Sequence, residues 1–165
     1  IITPKMSFGT GHHQTTSLMM NRIFGLDIRN KSVLDMGSGT GILSILASKL
    51  GARDLVGIDF DEWAFKNAKE NAVLNNVSNI HFIYGDSSDI QNMKYDIILA
   101  NINMNIILND LEIYVSAMQE DAEIILSGFL LKDTPRILSK SRQLGLNLVF
   151  SKNKNKWQML HLKRA

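Results

Sequence analysis

The 165 residues contain no cysteine. Disulfides, a cysteine nucleophile and thiolate metal ligands are therefore excluded, and a reducing compartment suits the chain without being required by it. Proline is scarce: Pro4 and Pro135 are the only two, so most of the chain is free to run as regular elements. No apolar run approaches the ~20 residues that span a bilayer, so no membrane partner is expected. The start, Ile1-Ile2-Thr3-Pro4-Lys5, shows neither an initiator Met nor a signal-peptide pattern, and the expectation is a piece of a longer protein. Charge of one sign is lacking too. Eighteen basic residues against 16 acidic ones leave +2, too little to argue by itself for a nucleic-acid partner. What remains is an ordinary globular composition, 45% apolar and 21% charged, long enough for one domain with its own core.

The pattern alternates strand and helix. Ser32–Met36 is a short apolar run that reads as a buried strand. Ile42–Leu50 has helical spacing and stops at Gly51. Leu55–Ile58 is a second strand. Asp61 is placed to cap a helix from Glu62 to about Asn75, with Ala64, Phe65, Ala68 and Leu74 inward. Ile80–Tyr84 and Tyr95–Ala100 are further strands. A helix over 105–118 and a strand over Glu123–Ser127 follow, then a helix from Lys132 to Leu144 before Gly145. Asn147–Ser151 and Gln158–Lys163, joined by a short polar link, read as an antiparallel hairpin at a sheet edge. This order predicts an α/β fold, a doubly wound and mostly parallel sheet, in which ligands bind beyond the carboxyl ends of the strands.

Polar residues stand at those ends in turn. After the first strand comes Asp35-Met36-Gly37-Ser38-Gly39-Thr40-Gly41, and six of the eleven glycines (these three with Gly9, Gly11 and Gly25) lie in the first quarter. Such a turn brings backbone N–H groups close to a ligand at a helix start; alone, it also reads, in about one case in three, as a tight strand–helix connection. The third glycine arrives one place early for the dinucleotide fingerprint, which argues against NAD. Asp59 follows the second strand, 22 residues past Gly37, where an acid can accept from both hydroxyls of a ribose. Asp61 reads as a helix cap before a ligand contact. Asp86, after the third strand, reads either as a turn residue or as an acceptor for the exocyclic amine of adenine. The fourth strand ends in Asn101-Ile102-Asn103-Met104-Asn105, with Asn101 where reacting groups should meet and one Asn available as a cap. Phe8 to Ser17 is polar and glycine-rich before a helix and reads as a lid. Its His12 and His13 lack acidic neighbours, and no metal site is expected. Phe8 reads as a cover over the ligand or as core; Trp63 as a packing residue or an adenine neighbour; Trp157 as structural.

Five segments of the chain resemble the PrmA family of class I S-adenosylmethionine-dependent methyltransferases: F-G-T-G-x-H-x-T-T at Phe8–Thr16, D-x-G-x-G-x-G at Asp35–Gly41, G-I-D-x-D at Gly57–Asp61, A-N-I at Ala100–Ile102 and L-S-G at Leu126–Gly128. The resemblance covers essentially the whole chain, and the lid motif is its specific part. It implies a seven-stranded Rossmann-like sheet with a C-terminal antiparallel hairpin and one methyltransferase domain over residues 1–165. It also implies a further N-terminal domain that recruits the substrate, the eleventh ribosomal protein of the large subunit, in the cytoplasm. Cofactor contacts carry over to Thr16, Gly37, Asp59 and Asn101, the last beside the methyl group; Gly39, Asp86 and Phe8 join the expected cofactor-binding set from the reading of the strand ends and lid above. The chain departs from the family at His12, Gln14 and Asn103.

The implied reaction is N-methylation of lysine or N-terminal amino groups. It needs alignment more than a strong base, because burial and a neighbouring sulfonium lower the amine pKa. Asn101 or the backbone carbonyls after the fourth strand are the expected acceptors for the amine. The rivals are an RNA or DNA amino-group methyltransferase and a small-molecule methyltransferase. Base-flipping relatives use an N-P-P-Y or D-P-P-Y turn; here the turn has neither proline nor aromatic. The basic tail (Lys152, Lys154, Lys156, Lys163 and Arg164) reads as a solvated hairpin, and no stable nucleic-acid binding is expected.

Overall fold

The computed structural model describes residues 1–3, 14–90 and 93–164. Along these the order is α1 (Gln14–Phe24), β1 (Ser32–Met36), α2 (Ile42–Lys49), β2 (Asp54–Asp59), α3 (Glu62–Leu74), β3 (Ile80–Tyr84), β4 (Tyr95–Asn101), α4 (Met104–Ser116), β5 (Met118–Leu130), α5 (Thr134–Gln143), β6 (Leu146–Lys154) and β7 (Trp157–Arg164), with short 3-10 turns at Ser87–Asp89 and Leu131–Asp133. The seven strands form one sheet in the order β3-β2-β1-β4-β5-β7-β6. Strands β1 to β5 are parallel, and β7 runs antiparallel to both β5 and β6. This is the predicted doubly wound sheet with its closing hairpin.

Period-two alternation explains the layers. Leu34, Val56, Ile98, Ala100, Ile124 and Leu126 face one way and pack with Ile107, Leu111 and Tyr114 of α4 and Ile137 of α5. Their sequence neighbours Val33, Leu55, Ile97, Leu99 and Ile125 face the other way, onto Leu18, Met19 and Ile23 of α1 and Leu43 and Ala47 of α2. Central strands are apolar on both faces because both faces are covered. α1 is further tied down by Arg22, whose Nε donates to Nδ1 of the buried His161 at 2.9 Å. That leaves the ring proton on Nε2, 3.2 Å from Glu123 Oε2. Burial holds His161 below its ordinary pKa, so α1 docks on β7 through a neutral imidazole.

Some boundaries differ from the sequence expectation. β5 has 13 residues, starting at Met118 rather than Glu123, because Met118 already pairs with Tyr95 across an irregular register. The link expected between the last two strands is almost entirely strand. Only Asn155 and Lys156 turn, both at positive φ (47° and 71°), as a two-residue hairpin of the primed type requires. Leu74, expected inward on α3, is 50% exposed, whereas Asn71 is fully buried. The inner face of α3 meets backbone polar groups there, which asparagine satisfies and leucine cannot. Among the described residues no helix is long and apolar enough to cross a membrane.

Candidate functional site

The parallel strands bring their carboxyl ends to one edge of the sheet. The chain leaves β1 for β2 on one side, while β4 lies on the other, so the order reverses between β1 and β4. Such a reversal is where an open sheet of this kind forms a crevice above its strand ends; Gly37 and Gly39 follow β1, and Asp59 and Asn101 end β2 and β4.

The glycine turn follows β1. Gly37, Gly39 and Gly41 all have positive φ, at 66°, 55° and 76°. At Gly37 space is also decisive: a Cβ there would lie 2.4 Å from Cγ2 of Ile102. The turn is sewn to the end of β2 by Gly37 N–H and Ser38 N–H, both donating to Ile58 O (2.8 and 3.1 Å). A third stitch is made by a side chain: Gly39 N–H donates to Asp59 Oδ2 at 2.8 Å. Asp59 Oδ1 accepts from Asp61 N–H at 3.0 Å. The carboxylate thus bridges the glycine turn and the β2–α3 junction. Burial raises its pKa above the usual carboxylate value, opposed by these two backbone donors. Each oxygen accepts one of these N–H bonds and has capacity for a second, as a pair of ribose hydroxyls requires.

Asp61 is the α3 cap, accepting from Trp63 N–H and Ala64 N–H at 2.8 and 3.0 Å. Asp86 stands after β3, exposed to solvent. Its Oδ1 accepts from the Ser88 N–H and hydroxyl, which holds its pKa below the ordinary value. Of the three Asn after β4, Asn103 caps α4, accepting from Ile106 N–H at 3.1 Å. Asn101 points elsewhere: its Nδ2 donates to Thr16 Oγ1 at 3.2 Å. Thr16, in the first turn of α1, is buried. Two predicted site residues 85 positions apart therefore meet. Trp63 is 70% exposed, with the Lys66 ammonium over its ring. Phe8, His12 and His13 lie outside the described residues, as does most of the lid expected over 8–17.

Three contributors were missed in the sequence reading. Asp35 is fully buried and accepts from the Ser44 N–H (3.1 Å) and hydroxyl (2.6 Å), locking the glycine turn to α2. Desolvation, with a smaller push from Asp59, raises its pKa to about 7 despite the Ser44 bonds. Its place at the head of the glycine motif was the available signal. Ile102 fills the gap between two glycines, its side chain against Gly37 and its backbone against Gly128; nothing local announces that. Ser38 Oγ is buried in the turn and, among the described residues, lacks a hydrogen-bond partner.

The turn, the acid and the Asn–Thr pair fit a nucleoside-bearing ligand. The backbone cradle has no room for a Cβ at Gly37, the Ser38 hydroxyl is buried without a partner among the described residues, and the acid retains acceptor capacity. The family model described as "Ribosomal protein L11 methyltransferase (PrmA)" matches residues 1–165. A ribosomal protein L11 methyltransferase of Phocaeicola vulgatus is 46% identical over 158 residues, covering 95% of this chain and 56% of that protein. The one of Porphyromonas gingivalis is 46% identical over 161 residues, covering 97% and 56%. The chain thus spans little more than half the length of these relatives. The crystal structure of ribosomal protein L11 methylase from Lactobacillus delbrueckii subsp. bulgaricus superposes with a TM-score of 0.92 at 31% identity, covering 99% of this chain and 83% of that one. The magnesium protoporphyrin IX methyltransferase of Synechocystis PCC 6803 with bound SAM, at 21% identity and a TM-score of 0.76 over 94% of this chain and 80% of that one, shares the fold. On this sequence match, extending over every residue, the chain belongs to the ribosomal protein L11 methyltransferase (PrmA) family.

Proposed function

We propose that this domain binds S-adenosylmethionine and is the methyl-transferring part of a cytoplasmic protein N-methyltransferase. Its substrate on this reading is the eleventh large-subunit ribosomal protein, modified on lysine or N-terminal amino groups. The observation that carries the reading is the Asp59 carboxylate bonded to Gly39 N–H. It joins the two halves of a nucleoside-binding edge that were separate motifs in the sequence. Gly37 and Gly39 would hold the ligand's backbone-facing side, Asp59 its ribose and Asp86 its adenine edge. Thr16 and Asn101 would border the reacting centre, and Phe8 completes the expected set.

The cofactor supplies an already activated methyl group on a sulfonium sulfur; the protein's task is alignment. Deprotonating a free lysine at pH 7 costs roughly 4–5 kcal/mol, which burial beside positive charge reduces. Asn101 has its Nδ2 committed to Thr16, so Oδ1 is the atom left to accept from the substrate amine and aim its lone pair. Proximity and orientation of this kind can supply about 7–11 kcal/mol.

The test is transfer of labelled methyl from S-adenosylmethionine into the separated proteins and RNA of unmethylated ribosomes, using the domain joined to the portion its relatives carry beyond it. Label confined to one ribosomal protein is the expected result. Label in RNA would replace this reading with base methylation, and label in neither would redirect it to a small-molecule acceptor. The 165-residue chain alone is expected to bind the cofactor but transfer methyl slowly.

A further inference from the structure

Helix α3 and its C-cap carry Asn67, Asn71 and Asn75 at steps of four, hence on one face. Their amides grip the main chain of Ile1 and Thr3. Thr3 N–H donates to Asn71 Oδ1 at 3.0 Å, and Asn67 Nδ2 donates to Thr3 O at 2.9 Å. Asn75 Oδ1 accepts from the Ile1 nitrogen at 2.6 Å, while its Nδ2 donates to Ile1 O. Ile2 is skipped, as an extended chain demands, because alternate residues turn their polar groups to the same side. The spacing also matches: four helical residues rise about 6.0 Å and two extended residues about 6.6 Å. The face is a ladder that reads main chain rather than side chain.

The middle rung has a second partner. Asn71 is fully buried, and its Nδ2 donates to Thr40 O, in the glycine turn, at 3.0 Å. A single amide therefore binds the captured segment with its oxygen and the turn with its nitrogen. Any displacement of Thr40 moves the acceptor for Thr3, and release of Thr3 loosens the hold on Thr40. Asn75 Nδ2 also donates to the carbonyl of Asn71 at 2.8 Å, which ties the last rung to the middle one.

We infer that Asn71 is a positioning residue coupling capture of the extended segment Ile1–Thr3 to the shape of the glycine turn, so that segment capture and S-adenosylmethionine binding strengthen each other. The inference rests on the cofactor reading above and adds a linkage to it. Linkage is reciprocal, which separates coupling from mere support of the fold.

The experiment measures two quantities on the same chain: S-adenosylmethionine affinity by calorimetry, and exchange of the Thr3 amide by NMR with and without saturating cofactor. In the unaltered chain the cofactor should slow Thr3 exchange. Asn71→Ala should weaken cofactor binding by about fivefold or more. Asn67→Ala and Asn75→Ala, which remove bonds to the segment and keep Asn71 and its bond to Thr40, should weaken it in the same direction by less, and they carry the test if Asn71→Ala fails to fold. Faster Thr3 exchange in these variants with unchanged cofactor affinity would overturn the coupling alone, as would cofactor-independent Thr3 exchange in the unaltered chain. Absence of cofactor binding to the unaltered chain would overturn the parent reading and the coupling together.

Discussion

The two halves of the sheet end differently at the same edge. In the parallel half, β1, β2, β3 and β4 end in Met36, Asp59, Tyr84 and Asn101. The turns beyond the first two enclose buried polar groups bonded across elements: Asp59 to Gly39, Asp35 to Ser44, Asn71 to Thr40. In the antiparallel half, β6 runs exposed from Asn147 to Lys154 and returns through the exposed Asn155-Lys156 turn, whose Lys156 carbonyl accepts from Leu131 N–H at 2.7 Å. The hairpin needs only its own turn residues and a neighbour to pair with. The site needs residues 20 to 85 positions apart held in register. A local device tolerates change; a convergent one does not.

Paired glycines break or sharpen that contrast most strongly. Gly128 follows the end of the core pairing of β5 with β4, at φ 94°, and a Cβ there would lie 2.4 Å from the Ile102 carbonyl oxygen. Gly128→Ala should cost about 2–5 kcal/mol in urea unfolding, from left-handed strain and overpacking together. A loss below 1 kcal/mol would mean that this edge is as yielding as the hairpin. Next comes Asn101→Ala, for which turnover should fall on the order of 100-fold through lost alignment. Cofactor affinity should change much less; equal losses in both would place Asn101 in binding rather than in aiming the amine. Asp59→Ala should then weaken S-adenosylmethionine binding by about 10–100-fold, the worth of hydrogen bonds to a charged group at roughly 1.5–3 kcal/mol. Unchanged binding, measured by calorimetry, would remove the acid from the site.

The Asp35 effect depends on pH. Burial raises its folded pKa to about 7, above the ordinary carboxylate value of 3.8. The folded state therefore holds the proton more tightly, and this contribution to stability is full below about pH 4 and lost as pH rises through 7. Asp35→Asn, which stays neutral, should gain on the unaltered chain across that window, by at most about 1.4 kcal/mol per pH unit, and level off above it. A difference independent of pH would show that Asp35 is ionised throughout. The smallest effect belongs to the antiparallel half. Gly145 has φ 76° but open space around its Cβ position, so Gly145→Ala should cost only about 1 kcal/mol of backbone strain. A loss as large as that at Gly128 would erase the distinction between local and convergent turns.

Much of the fold was legible because it is local. β1 and β3 have the expected bounds, and α2 and α3 stop within a residue or two of theirs, since glycine, asparagine and aspartate mark their ends. The start of β5 at Met118 was not legible: Met118 has no strand pattern of its own and pairs because Tyr95 lies beside it. The candidate site was legible as separate marks, Gly37 and Gly39, Asp59, Asp86, Asn101 and Thr16. That Asp59 meets Gly39 and Asn101 meets Thr16 was not, nor were the parts of Ile102 and Asn71, whose partners are supplied by other elements.

By itself the sequence determined the alternation of strands and helices, the two-faced apolar strands, the cap at Asp61 and the family. All of these follow from residue type and spacing within a few turns of chain. Only the tertiary structure decided that Asp59 closes onto the glycine turn, that Asn101 turns to Thr16, and that α3 presents asparagine inward where leucine was expected. Burial removes water from these polar groups, and each then takes whichever donor or acceptor the packed elements bring within hydrogen-bond reach.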